Sequence, residues 1–359
     1  MTGSEWFASA PGGLNRYFTE LFQALTRQSG VSVSAAAFGS VAEAALPGAL
    51  SWGGPGGSTM RRARTAFLDR AALREATVLD RHFCLYGPAA VNRRGKLPLV
   101  VHFHGPWAAE SRLTGAPEFA ARAKYLIERV RYAGADRFVV LSTHFRDVLS
   151  SDYRVPADRI AVIPPGVDLT RFRAAPMPTG PTTRTVLCVR RLERRMGIDT
   201  LLRCWPEVVA EHPDARLVIV GTGTAEGELR LRAAGAGLGD SIVFAGHVTD
   251  ARLTELYERC ELTVVPTIAL EGFGLIALES LAAGRAPIVT DCGGLPDSVR
   301  GLDPSLVVAS GDPDALGARI SAALHGNLPA PAQCRAHAET FSWDVTATRH
   351  VAMYRDIGR

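Results

Sequence analysis

No apolar stretch in this chain reaches the ~18 residues that a bilayer-spanning helix requires, and the first residues lack the apolar core of a signal peptide, so any membrane contact is expected to be peripheral. The six cysteines, at positions 84, 188, 204, 260, 292 and 334, contain no Cys-x-x-Cys pair and no regular spacing. That argues against a cysteine zinc site and against a disulfide framework; reduced thiols fit a cytosolic protein. Charge of one sign is not in excess. The net charge is +4, and the positive residues are mostly arginines scattered through predicted helices without interleaved aromatics, so no nucleic-acid partner is expected.

What is present is a repeated alternation of strand and helix. At 359 residues the chain exceeds what one hydrophobic core usually fills, which makes two domains the natural expectation. Apolar runs such as LPLVVHFHG and DRFVVLST alternate with helical patterns up to RIAVIPPGVD, and a second round runs from TVLCVRRL through ARLVIVGTG, SIVFAGHV and ELTVVP to SLVVAS. This is α/β repetition at the spacing of parallel sheets covered by helices on both faces. The bounds read as 1–167 for the first domain, 168–182 for a linker rich in Pro and polar residues, 183–340 for the second domain and 341–359 for a terminal helix anchored by Trp343. Residues 60–76 read as a basic amphipathic helix. Its arginines leave two readings, a solvated face or a surface resting on anionic lipid. Ahead of Gly12 and Gly13 no apolar strand is evident, so the first strand is expected to be truncated: either the true start lies upstream of Met1 or the sheet is shortened.

The chemistry concentrates in PTIALEGFGLIALESLAAGRAPIVTDCGGLPD, residues 266–297, where Glu271 and Glu279 are separated by seven residues. LTVVP before it reads as a strand, EGFG as a tight loop and LIALESLAAG as a helix ended by Gly284. A helix N-terminus with free amides favours an anion such as phosphate. Glu271 beside it can accept hydrogen bonds from sugar hydroxyls, while Glu279, one turn past Leu275, can accept from a ribose diol on which the leucine packs. This string, with IPPGVDLTRF upstream, resembles the Glu-x7-Glu signature of the large family four of retaining glycosyltransferases, which have the GT-B fold and use UDP-, GDP- or ADP-sugars.

The resemblance covers nearly the whole chain. It implies two Rossmann-like domains facing a central cleft, a terminal helix that crosses back to the first domain, and transfer of a hexose-type sugar from a nucleotide diphosphate to an acceptor hydroxyl in glycan, glycolipid or metabolite biosynthesis. The alternatives are a nucleotide-sugar-binding protein that has lost transfer and a nucleotide-sugar epimerase or hydrolase. In VRRLERRMGID, Arg191 matches the family's arginine for the leaving diphosphate, but the lysine position holds Met196, which makes Arg195 the candidate substitute. Gly12 and Gly13 match the pair whose amides approach the distal phosphate or the sugar. His104 matches a strand-end histidine that meets the donor sugar. His102 shares its strand face, but without a third ligand at metal spacing the pair points to sugar contact rather than metal. His247, in FAGHVTD, is placed near the base or phosphate, and Gly272, Phe273, Gly274 and Leu275 line the donor with Glu279. The expected catalytic set is therefore Glu271, Arg191, Arg195 and His104. No metal and no cofactor beyond the nucleotide-sugar co-substrate is expected, since arginine and helix amides neutralise the diphosphate. The acceptor is unknown, and the expected location is the cytoplasm, with the inner membrane face the one peripheral contact left open.

Overall fold

The sequence folds into two separate parallel sheets. The computed structural model describes residues 1–41, 47–92, 95–113, 115–177 and 184–358, and divides into unit 1, Met1–Gly166 with Trp343–Arg359, and unit 2, Val167–Ser342.

Unit 1 begins with β1 (Thr2–Glu5), α1 (Gly13–Thr26), β2 (Ala35–Phe38), β3 (Ala49–Ser51), α2 (Thr59–Leu68) and β4 (Leu79–Arg81). A small hairpin, β5 (Val91–Asn92) and β6 (Gly95–Lys96), leads to β7 (Leu99–Phe103), α3 (Trp107–Leu113), α4 (Glu118–Tyr132), β8 (Arg137–Val140), α5 (Thr143–Asp152) and β9 (Ile160–Val162). The main sheet runs β3-β2-β1-β4-β7-β8-β9, all parallel. The first strand, expected to be missing or shortened, is present as a short one: TGSE is polar yet pairs with both β2 and β4 in the middle of the sheet. It lacks an apolar pattern because its neighbours supply the bulk. A Cβ at Gly3 would stand 2.8 Å from the Phe18 ring, so only glycine admits that ring. Phe18, Leu21, Phe22 and Leu25 form the buried stripe of α1 at the spacing of an amphipathic helix.

The basic helix expected over 60–76 stops at Leu68. Asp69 turns extended there, its carboxylate accepting from Trp52 Nε1 at 2.8 Å and Ala71 N at 2.9 Å. Only a short 3-10 turn, Ala71–Leu73, follows. Side-chain competition for backbone donors is what ends helices at aspartate.

Unit 2 contains β10 (Arg184–Val189), α6 (Ile198–Glu211), β11 (Ala215–Val220), α7 (Glu226–Gly235), β12 (Ile242–Gly246), α8 (Asp250–Arg259), β13 (Leu262–Val265), α9 (Leu275–Ala282), β14 (Ala286–Thr290), β15 (Val307–Val308), α10 (Pro313–Leu324) and α11 (Pro331–Glu339). Its parallel sheet has the order β12-β11-β10-β13-β14-β15, with Val186, Leu217, Ile219, Leu262, Val264 and Ile288 buried against Leu201, Trp205 and Ile320 of the flanking helices. The ends of α8 and α10 follow from their caps: Thr249 Oγ1 accepts from Arg252 N at 3.3 Å and Asp312 from Ala315 N at 3.0 Å.

The stretch read as a linker from 168 onward runs within unit 2 up to Met177, with residues 178–182 outside the described residues. Arg285, buried, donates to the carbonyls of Ala175 and Pro176, both at 2.8 Å, and Arg335 to that of Phe172 at 2.7 Å. A Pro-rich stretch offers few amide donors, and guanidinium donors from elsewhere tie down its carbonyls instead.

The last helix, α12 (Trp343–Ile357), belongs to unit 1, where Trp343, Ala347 and Val351 pack with Tyr17, Leu21 and Leu25 of α1. Thr346 Oγ1 donates to Pro164 O at 3.1 Å.

Candidate active site

In unit 2 the strand order reverses between β10 and β13, and ligands of open α/β sheets bind outside the carboxyl ends of strands at such a point. The segments leaving these two strands carry the charged groups. Arg190, one residue past β10, donates to Thr267 Oγ1 and pairs with Glu271. Thr267 is fully buried, and its carbonyl accepts from Thr290 Oγ1 at 2.5 Å. Arg195 Nη1 donates to Leu270 O at 2.9 Å, and Ile268 N donates to Arg195 O at 2.9 Å. The 190–197 and 266–271 segments are therefore stitched side by side.

The stitching requires glycine at two places. Gly197 has φ +69°, and a Cβ there would lie 1.8 Å from Pro266 O; Gly293 has φ +57°, and a Cβ would lie 2.2 Å from Glu271 O. Leu270, next to Glu271, also has a positive φ, 50°. A non-glycine residue in that region carries strain of order 1 kcal/mol or more, of the sort found at binding loops.

Glu279 lies on α9 and is buried, one carboxylate oxygen accepting from Tyr257 OH at 3.0 Å. Leu275, at the helix start, is partly exposed. Gly274 precedes it with φ +91°, and Phe273 is buried against Phe341, ring centroids 5.6 Å apart. Phe273 thus serves the core, and what the loop offers outward is Gly272 and the first amides of α9.

Of the arginines singled out in the sequence, Arg191 is exposed, and among the described residues its guanidinium has no hydrogen-bond or ion-pair partner. The structure brings Arg190, not Arg191, to Glu271. Met196 is buried. His247 is exposed just past β12, the edge strand of the unit 2 sheet. Thr267 and Tyr257 escaped the sequence reading, and Arg190, one residue before the family's arginine position, carries no local signal of its pairing with Glu271, 81 residues away.

In unit 1 the order reverses between β1 and β4. Gly12 and Gly13 open α1, both exposed, with no atom within 4 Å of a Cβ built on either, so their backbone is approachable. Asn15, next in the helix, is turned inward onto Ala10 O at 2.9 Å. At the ends of the neighbouring strands stand three histidines: His82 follows β4, His102 lies in β7 and His104 just beyond it. The expectation that no third ligand joins His102 and His104 is corrected here. Parallel pairing of Arg81 with Val101 sets His82 beside His102, their rings stacked with centroids 3.8 Å apart, and one ring nitrogen from each of the three lies within 4.8 Å of the others. Two residues twenty apart in sequence meet only through the sheet register, so spacing alone could not show it.

Asp80 is buried beneath them. Its two carboxylate oxygens lie 3.0 and 3.2 Å from His102 Nε2, and Oδ2 accepts from Tyr354 OH on α12 and stands 3.6 Å from His82 Nε2. Burial would raise its pKa, but the His102 and His82 contacts hold it well below the usual carboxylate value. Burial pushes His102 down to about 4 and His104 well below the ordinary imidazole value. The group is therefore one carboxylate anion among neutral imidazoles.

Comparison with known proteins identifies the family. The family described as "Glycosyl transferases group 1" matches residues 175–341, and "Glycosyltransferase Family 4" matches residues 11–171. The chain is 32% identical over 322 residues to D-inositol 3-phosphate glycosyltransferase of Acidothermus cellulolyticus, covering 81% of this chain and 70% of the relative. It is 31% identical to the enzyme of the same name from Segniliparus rotundus, covering 62% of this chain and 53% of that one. Among solved structures, Anabaena HepE in complex with UDP superposes with a TM-score of 0.75 at 16% identity, over 99% of this chain and 98% of HepE, a likeness of fold. The same protein has also been crystallised with UDP-glucose.

Proposed function

The chain belongs to glycosyltransferase family 4, and from that premise we propose that it moves a hexose-type sugar from a nucleotide diphosphate donor to an acceptor hydroxyl, with retention of configuration at the anomeric carbon. The observation that carries this reading is the convergence of Arg190, Glu271 and the start of α9 at the reversal point of unit 2. A carboxylate for hydroxyls, guanidinium groups for phosphate oxygens and a helix N-terminus for the same oxygens are the parts a nucleotide-sugar needs.

The roles divide as follows. Glu279, fixed by Tyr257, takes the ribose diol, with Leu275 packing on the sugar face. Glu271 takes hydroxyls of the transferred sugar, oriented by Arg190. Arg191, whose guanidinium makes no hydrogen bond or ion pair among the described residues, takes the leaving diphosphate together with the amides after Gly274, and Arg195 braces the loop that carries Glu271. Such prearranged cations and N–H groups stabilise charge as it develops on the leaving group, commonly by about 3–4 kcal/mol for one donor. The HepE complexes favour a uridine donor, and the names of the curated relatives favour a phosphorylated polyol acceptor.

The test is a donor panel. UDP-, GDP- and ADP-sugars are incubated with the pure protein, with and without D-inositol 3-phosphate and a polyol pool, and free nucleotide and glycoside are measured. Acceptor-dependent release of one nucleotide, with an axial product bond from an axial donor, is expected. Donor binding by calorimetry with no release under any pairing would instead leave a binding protein that has lost transfer.

A further inference from the structure

We propose that His82, His102 and His104 of unit 1 bind a divalent transition-metal ion of the zinc class, with Asp80 as the carboxylate behind the ligands. The inference stands on the unit 1 cluster and does not depend on the donor chemistry of unit 2. Its first support is proton accounting. The His102 Nε2 position facing Asp80 is the natural N–H donor, which leaves Nδ1 as the lone-pair nitrogen, and that atom is buried without a hydrogen-bond partner. Nε2 of His104 and both nitrogens of His82 are likewise buried and unpartnered. Buried polar atoms are nearly always satisfied, so several unpartnered imidazole nitrogens in one place point to a ligand.

Its second support is Asp80. A carboxylate hydrogen-bonded to the far nitrogen of a ligating histidine fixes the tautomer, orients the ring and raises its basicity, an arrangement common around protein-bound zinc. Here one aspartate faces two of the three rings, at 3.2 Å from His102 and 3.6 Å from His82, and Tyr354 OH steadies it. The anion also offsets the charge of a cation brought below the surface.

The ligand set selects the ion. Three imidazoles suit zinc, copper or nickel, whereas magnesium and calcium require oxygen ligands. Zinc–nitrogen bonds of about 2.0–2.1 Å in a tetrahedron place donor atoms roughly 3.4 Å apart. The three nitrogens lie within 4.8 Å of one another on near-parallel rings, so binding requires the rings to rotate and His82 to unstack from His102. His104 is only half-buried and gives the ion its way in, with the fourth position left to water or a substrate oxygen.

Protein dialysed against chelator is titrated with Zn²⁺ by calorimetry and with Co²⁺ by visible absorption. One equivalent bound in the micromolar range or tighter, with the intense visible bands of four-coordinate cobalt, is expected. His104→Ala and His82→Ala should each weaken binding at least 100-fold, and Asp80→Asn 10- to 100-fold with the cobalt bands retained; far-UV circular dichroism identifies any variant that fails to fold, and half-buried His104 is the one most readily removed. The described residues contain a second group, Glu211, His212 and His325, so the double variant His212→Ala/His325→Ala must keep the stoichiometry. Failure of the wild-type protein to take up zinc or cobalt, or uptake that survives His104→Ala in folded protein and disappears in the double variant, overturns the proposal.

Discussion

Arg190 and Glu271 form an ion pair that joins the end of β10 to the loop after β13, the two strands between which the unit 2 sheet reverses its order. Both side chains are largely withdrawn from solvent, 8% and 17% exposed, so the pair is more than a screened surface contact. Removing one member leaves the other charged and poorly solvated, which costs about 3–5 kcal/mol in fully buried pairs and less here.

Arg190→Ala is therefore expected to lower both the melting temperature and kcat, the latter on the order of 100-fold, because Glu271 loses its orientation. Arg191→Ala should differ in kind. That guanidinium is exposed and makes no hydrogen bond or ion pair among the described residues, so the melting temperature should stay within about 1 °C of wild type while turnover falls on the order of 100-fold. Thermal melts beside steady-state kinetics separate the two, and an unchanged rate in Arg191→Ala removes that residue from the diphosphate site.

Tyr257→Phe deletes the hydroxyl that donates to Glu279 while keeping the ring. A hydrogen bond to a charged group contributes about 1.5–3 kcal/mol. Glu279 should then hold the ribose less well, and KM for the donor should rise roughly tenfold with kcat altered less.

Gly197→Ala places a methyl group 1.8 Å from a backbone carbonyl at a positive φ. No rotamer relieves a clash with backbone, so the two loops must separate. A loss of at least 2 kcal/mol in denaturant unfolding is expected, together with weakened donor binding.

The buried imidazoles predict an acid-labile unit 1. His102 and His350 have values of about 4 in the folded chain, against ~6.5 in the unfolded chain. Below ~6.5 the unfolded state binds protons that the folded state refuses, so the stability held by keeping these rings neutral is present above ~6.5 and is lost as the pH falls towards 4, at about 1.4 kcal/mol per unit for each ring. Melting curves from pH 8 to pH 4 should show this fall, and His350→Gln should flatten it. A melting temperature independent of pH over that range contradicts the burial.

Most of this architecture could be read in the residues, and the exceptions share a cause. Helix α8 is spelled out by Thr249 and its apolar spacing, and β10 by TVLCV. The strand β1 was hidden because its burial depends on Phe18 from α1, and the meeting of His82 with His102 because it depends on strand register. Arg190 was hidden for a similar reason, since its partner stands 81 residues away. Local pattern reveals periodicity and caps; pairings made by the third dimension leave no mark in it.

Gly166 and Trp343 carry one more consequence. The chain leaves unit 1 after Gly166 and rejoins it at Trp343, and a Cβ at that glycine would stand 2.4 Å from the tryptophan ring. During synthesis, then, residues 167–342 can emerge and acquire their own sheet while the earlier half still waits for its closing helix. Ribosomal stalling or proteolysis just before Trp343 would release a product in which Asp80 has lost Tyr354 and Tyr17 has lost His350, so the nascent N-terminal half is the part that should depend on chaperones until Trp343–Ile357 has emerged.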